Sequence, residues 1–205
     1  MSIIIELPAF DSDSGYLNAI IDTPKGSHNK FKYDPKTGMF RLGAPLPLGN
    51  VFPFDFGYIP STEGDDGDAL DILILIDAPV FTGCLVLAKL IGVLEAEQTE
   101  DSATTRNDRL IGVAADSRNH SHVRFMGNLN SNLVHEIECF FISYNETKGK
   151  RFKVLGRSGP NKAIKLVEVG MRQYRKSHQT SKDRKKSGRC SHLCPAVHRP
   201  VSNNS

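Results

Sequence analysis

Five aliphatic residues in a row, Ile72-Leu73-Ile74-Leu75-Ile76, leave no polar face, so this stretch reads as a short strand buried on both sides. Just ahead of it, Asp65, Asp66, Asp68 and Asp71 put four carboxylates within seven residues. Anions so close repel one another, and a fold that gathers them neutralises them with cations. Hard oxygen donors suit Mg²⁺, Ca²⁺ or Mn²⁺. The same residues also make an ordinary acidic turn, because Asp and Gly are turn formers. Residue types alone leave the two readings level.

The flanking chain alternates strand and turn signals. Residues 16–23 are apolar and small and end in the turn Pro24-Lys25-Gly26. Lys30-Phe31-Lys32-Tyr33-Asp34 and Met39-Phe40-Arg41-Leu42 flank the turn Asp34-Pro35-Lys36-Thr37-Gly38 and read as a hairpin. Its two-residue period puts Lys30, Lys32 and Asp34 on one face. Residues 43–60 are rich in Pro, Gly and Phe, which predicts a loop packed onto the body. Residues 84–94 suit a long strand, 95–108 a polar loop and 109–115 a short strand.

Leu133, Ile137, Phe140, Phe141 and Tyr144 then recur at helical spacing, and Ala163, Leu166, Val167, Gly170, Met171 and Tyr174 do so again. A strand is expected near residues 151–155. Strands first and helices last predict an α+β fold: a small closed or highly curled, mainly antiparallel β-barrel (OB-like) with flanking α-helices.

Charge divides the chain. Residues 1–171 carry 17 Lys and Arg against 22 Asp and Glu, whereas residues 172–205 carry 9 against 1. The expected organisation is a domain over 1–174 and a basic, disordered tail over 175–205, which has too few large apolar residues to fold alone. The tail could contact nucleic acid through Lys182 to Arg189, but an unstructured extension is the plainer expectation. Cys190, His192, Cys194 and His198 have zinc-ligand chemistry at spacings too short for a built site. Cys84 and Cys139 are expected to be inert core thiols. The scattered cysteines suggest a reducing compartment, and nothing reads as a signal peptide or a membrane span. The expectation is a soluble, cytoplasmic protein.

Two phosphate and calcium motifs fail. An EF-hand starting at Asp66 needs Gly and Glu where Asp71 and Asp77 stand. No Gly-rich loop ends in Gly-Lys-Ser/Thr. Clustered carboxylates with nearby cations remain, the chemistry that hydrolysis of a phosphoanhydride needs.

Asp66-Gly67-Asp68-Ala69-Leu70-Asp71 resembles the signature of the family I soluble inorganic pyrophosphatases. Segments in the family's order extend the resemblance over roughly residues 16–174. They are Ile20-Ile21-Asp22-Thr23-Pro24, Asn29-Lys30-Phe31-Lys32-Tyr33-Asp34, Pro53-Phe54-Asp55-Phe56-Gly57-Tyr58-Ile59-Pro60, Gly92-Val93-Leu94, Asn107-Asp108-Arg109-Leu110, and Tyr144-Asn145 before Lys148-Gly149-Lys150.

The resemblance implies Mg²⁺-dependent hydrolysis of pyrophosphate, with Mn²⁺ or other divalent cations possible, in a homo-oligomer, a hexamer in bacterial members. It implies that Asp66, Asp68 and Asp71 bind metal and that Asp68 orients or deprotonates the attacking water. Asp22 matches a family Glu and is a further metal-binding candidate. Lys32, Arg109 and Tyr144 match phosphate-binding positions, and Asp34, at a further family Glu, is expected to bind substrate with them. Asn107 stands at a metal-binding Asp, and Asp108 beside it should face away. Glu97, Glu100 and Asp101 are candidates for one more acidic ligand. Ala44, Phe52, Phe56 and Asn145 replace an Arg, two Tyr and a Lys, so the phosphate-binding shell is thinner than the family pattern. A protein that binds metal and phosphate compounds with little turnover is the alternative.

Overall fold

The computed structural model describes residues 7–187. In chain order its elements are β1 (Leu17–Thr23), β2 (Asn29–Asp34), β3 (Met39–Pro45), β4 (Asp55–Tyr58), β5 (Asp71–Leu75), β6 (Leu85–Glu100), β7 (Ala103–Arg106), β8 (Arg109–Ala114), α1 (Ser131–Glu146), β9 (Arg151–Ser158) and α2 (Pro160–Ser187). Strands β1, β4, β5, β8 and β6 pair in that order, and β6 returns to β1, closing a ring of five. The ring is mixed: β5 and β8 run parallel and its other pairs are antiparallel. The long β6 continues past the ring to pair with β7 and β9, while β2 and β3 form a separate hairpin.

Strand β5 is buried on both faces, as its unbroken aliphatic run predicts. Ile72 and Ile74 join one cluster with Ile21, Ile59 and Leu110, against Ala163 and Val167 of α2. Leu73 and Leu75 join the other with Phe56, Ile91 and Ile111, against Val134, Ile137 and Phe141 of α1. Each such side chain contributes roughly 1.5–3 kcal/mol by leaving water. One strand therefore anchors both helices.

The helix ends follow local chemistry. The Asn130 side chain accepts from Asn132 N at 2.8 Å and caps α1. Gly149, at φ +72°, makes the left-handed turn that leads into β9. Pro160 opens α2, where a missing N–H costs nothing.

Several expectations need correction. Residues 95–106 are an antiparallel hairpin rather than a loop, with φ of +47° at Asp101 and +69° at Ser102 in the turn. Its polar surface is matched by Lys153 to Glu97 at 3.2 Å and Lys150 to Glu100 at 2.7 Å. The loop over 43–60 is packed down at Leu46 and Phe52, but residues 55–58 form β4. Cys139 is exposed and Cys84 half-buried, so neither is a core thiol. Helix α2 runs on to Ser187, so the boundary drawn between 174 and 175 falls inside it. No Gly or Pro interrupts residues 171–187, and Gln, Arg and Lys are good helix formers. The Cys190, His192, Cys194 and His198 group lies outside the described residues. No described helix is long and apolar enough to cross a membrane.

Gly57 marks where β4 presses on β1: a Cβ there would stand 2.1 Å from the Ile20 carbonyl oxygen. Gly156 on β9 has nothing within 4 Å of the same position. Gly57→Ala is expected to cost about 3 kcal/mol or more, read as a fall in Tm of roughly 6–12 °C. Gly156→Ala should leave the thermal midpoint essentially unchanged. Equal melting of the two variants would contradict the close approach.

Candidate functional site

Parallel pairing of β5 with β8 sets Ile72 opposite Leu110, so Asp71 and Arg109 open their strands side by side. An Arg109 guanidinium nitrogen lies 2.6 Å from Asp71 Oδ2. The Arg109 side chain is only 7% exposed, and its guanidinium lies within 5.4 and 5.5 Å of the Phe141 and Phe152 ring centres. The same nitrogen donates to Asn107 Oδ1. Asn107 Nδ2 in turn donates to Gln98 Oε1 at 3.0 Å. A carboxylate, a guanidinium and two amides thus form one connected line.

Two more carboxylate–cation pairs face it. Lys30 Nζ sits 2.7 and 2.8 Å from the two oxygens of Asp22, which β1 holds in the interior. Burial raises the Asp22 carboxyl above its ordinary range, and Lys30 offsets part of that rise. The Lys30 ammonium also lies 4.2 Å from the Phe56 ring centre. In the acidic loop, Gly67 takes φ +81° and Asp66 Oδ1 accepts from Asp68 N at 3.1 Å. Burial, then the neighbouring Asp71 and Asp68, raise Asp66. Lys32 Nζ reaches both Asp68 oxygens, at 3.1 and 2.8 Å.

From α1, Tyr144 stacks on Phe140 and meets Phe52 edge-on. Burial pushes its hydroxyl up to about 12, so it stays protonated at neutral pH. Lys148 Nζ donates to that hydroxyl, leaving its proton free for an incoming acceptor. Burial, with Lys30, Lys150 and Arg109 nearby, brings Lys148 down to about 8.

These groups line one cavity of about 550 Å³. Asp22, Asp66, Asp68 and Asp71 meet Lys30, Lys32, Arg109, Lys148 and Lys150 around it, and Lys150 is balanced by Glu100 outside the lining. Tyr58 Oη and Arg109 Nε, both from residues of this lining, are buried without a hydrogen-bond partner among the described residues. Unspent donors, with Lys148 paired to no carboxylate among the described residues, suit an anion with several oxygens. A second cavity of about 390 Å³, at Phe125, Met126 and Val134, has Arg157 as its one charged residue. Arg157 is already paired with Glu138.

The acidic loop also fits a divalent cation. Among the described residues no group of three or more Asp, Glu, His or Cys side chains is placed to hold a metal ion by itself. Mg²⁺ needs none, since it takes one or two carboxylates and fills its shell with water and phosphate oxygens. Asp66 fits that use: it lines the cavity and forms no ion pair among the described residues.

Of the residues singled out in the sequence, Asp22, Lys32, Asp66, Asp68, Asp71, Asn107, Arg109 and Tyr144 all line this cavity. Asp34 does not. Its side chain turns back to accept from Lys36 N at 2.9 Å and from Arg41 at 3.4 Å. Glu97 and Glu100 pair with lysines of the β9 side, and Gln98 is the residue of that hairpin that faces the cavity. Asp108 faces away, accepting from Ala96 N and Arg106. Asn145 is turned onto its own helix, donating to Phe141 O at 2.7 Å. Lys30, Tyr58, Gln98, Lys148 and Lys150 were not assigned to the site from sequence. Lys30 was readable from its two-residue spacing to Lys32, and the two lysines after α1 from their basic pairing.

Fold and cavity together define a closed mixed barrel with an acidic loop and a cationic cleft at one end. A sequence model described as inorganic pyrophosphatase matches residues 19–175. An inorganic pyrophosphatase of Synechocystis is 33% identical over 162 residues, covering 79% of this chain and 94% of the relative. That of Thermus thermophilus is 32% identical, covering 85% and 99%. The crystal structure of inorganic pyrophosphatase from Thermus thermophilus superposes with a TM-score of 0.76 over 84% of this chain and 98% of that one. The chain belongs to the inorganic pyrophosphatase family.

Lys148 gives the cavity a pH dependence. Above about pH 8 it loses its proton, so anion affinity contributed by this ammonium is present below that pH and lost as pH rises through it. Sulfate keeps its charge across this range and serves as the probe. Calorimetry should show sulfate affinity falling between pH 7 and 9 for the wild type, and a flatter profile for Lys148→Arg. Identical profiles would remove Lys148 from the anion site.

Proposed function

We propose that this chain hydrolyses inorganic pyrophosphate to two phosphates with the aid of Mg²⁺, or of Mn²⁺ or a similar divalent ion. The observation that carries this reading is the single cavity in which the Asp66–Asp71 loop faces Lys30, Lys32, Arg109 and Lys148, with unspent donors at its wall. Family membership supports it. Asp66, Asp68 and Asp71 would hold the divalent ion, with Asp22 and the Asn107 amide as further oxygen donors. Such an ion neutralises phosphate oxygens and acidifies bound water.

The remaining roles fall to the chain itself. Asp68 orients the attacking water and takes its proton. The water oxygen forms a bond to one phosphorus as the bridging P–O bond breaks; the proton taken by Asp68 passes to the departing phosphate, and the other stays on the phosphate formed from the water. Lys32, Arg109 and Tyr144 bind phosphate oxygens, Tyr144 as a donor because its hydroxyl keeps its proton. Asp34 has no part, being spent in its own turn. The reading includes a soluble cytoplasmic homo-oligomer, a hexamer, which light scattering would test.

One observation favours a slower variant of the same function, in which phosphate compounds bind with little turnover. Gln98 and Asn107 are amides, and Ala44, Phe52, Phe56 and Asn145 offer the substrate no charged or hydroxyl donor. Each hydrogen bond to a charged group is worth roughly 1.5–3 kcal/mol if used fully in the transition state.

Phosphate release from pyrophosphate with Mg²⁺ decides between them. The wild type is expected to turn over, and Asp68→Asn to lose on the order of 10²-fold or more of the rate. Equal rates in the two proteins would eliminate the role of Asp68. Calorimetric binding of pyrophosphate without phosphate release would establish the slower variant.

A further inference from the structure

Three of the four carboxylates around the cavity are already paired with a cation of the chain itself. Two of these pairs are fixed. Lys30 on Asp22 and Arg109 on Asp71 have side chains at most 17% exposed on the cationic side, and both cations are packed against aromatic rings. The third pair is different. Lys32 and Asp68 have side chains 65% and 64% exposed, and Lys32 comes from the β2–β3 hairpin, which pairs with no strand of the ring. Among the described residues no other cation of the lining is paired with Asp68: Lys30 is on Asp22, Arg109 on Asp71, Lys148 on the Tyr144 hydroxyl and Lys150 on Glu100.

We propose that Lys32 is a built-in counter-cation for Asp68, competing with a divalent ion for that carboxylate and so lowering the number of ions the empty site takes up. This deepens, and rests on, the metal-dependent reading of the site. An ammonium bridging both oxygens of a carboxylate uses the lone pairs that a metal would need. Its positive charge also repels a dication entering within a few ångströms. Because the pair is exposed, it is weak enough to open, and the ammonium that leaves Asp68 is free to meet a phosphate oxygen. Lys32 is thus a positioning residue for the cation before substrate arrives and a binding residue after it.

The test reads metal without substrate. Free Mn²⁺ is followed by electron paramagnetic resonance as the full-length protein is titrated at pH 7, for the wild type, Lys32→Gln, Lys32→Arg, and Lys32→Gln combined with Asp68→Asn. Lys32→Gln is expected to bind Mn²⁺ on the order of tenfold more tightly, or to take up one more ion. Lys32→Arg keeps the charge and should behave as the wild type. The gain should vanish in the double variant, because it belongs to Asp68. Lys32 is a surface residue, so all four proteins are expected to fold, which their thermal melts check. Wild-type Mn²⁺ binding in Lys32→Gln, or a gain that survives loss of Asp68, overturns the inference while leaving metal-dependent hydrolysis standing if phosphate release is seen. Absence of Mn²⁺ binding in every protein overturns both.

Discussion

The contact on which the site depends is the bond between Arg109 and Asp71 at the shared start of the two parallel strands. An antiparallel pair would have put the beginning of one strand beside the end of the other. Parallel pairing brings two beginnings together, so each strand delivers its first residue to the same place. Behind these residues the strands are aliphatic and fully buried, which leaves neither end freedom to shift. The polar end of the barrel is rigid because its apolar middle is. Arg109 then extends the order outward, through Asn107 to Gln98.

Electrostatic balance explains the rest of the arrangement. Four carboxylates drawn together without compensation would destabilise the fold, and burial, with a smaller contribution from neighbouring carboxylates, already raises Asp66 and Asp22. Lys30, Lys32 and Arg109 relieve most of that strain from within. The aromatic residues help: Phe56 offers Lys30 the face of its ring, and Phe141 and Phe152 do the same for Arg109. A ring face returns part of what a cation loses on leaving water, and the paired carboxylate oxygens return the rest, so these positions can be deeply placed. Phe52 and Phe56 carry no hydroxyl, but both rings lie under the Lys30 ammonium that lines the cavity.

Much of this could be read from the chain. The unbroken aliphatic run announced a strand buried twice over, and the acidic loop before it announced the site. The aliphatic run is a local signal without a rival, whereas the acidic loop read equally as an ordinary turn until the flanking segments were set beside it. The polar half of β6 was not readable, because its ladder is made with β7 and β9 and its surface is satisfied by Lys150 and Lys153 from a distant segment. Gln98 was hidden for the same reason. Which residue of that hairpin faces inward depends on a register shift against β9 between Glu95 and Ala96. Asp34 failed in the opposite way. Strand periodicity placed it with Lys30 and Lys32, but at the last position of β2 the turn's own N–H competes for the carboxylate and wins.

These details bear on how such a cavity can change its chemistry without changing its fold. The strands that deliver Asp71 and Arg109 are set by core packing, so replacing a carboxylate by an amide at the rim, as at Asn107, costs the barrel nothing. What changes is the balance of charge. With Gln98 and Asn107 neutral and Lys32 set against Asp68, positive charge that could come from bound divalent ions is supplied by the chain. A cavity balanced in this way has a standing attraction for anions, tunable through side chains that can move. The chain's own cations hold these carboxylates to different degrees: tightly at Asp22 and Asp71, loosely at Asp68, and at Asp66 by no ion pair among the described residues.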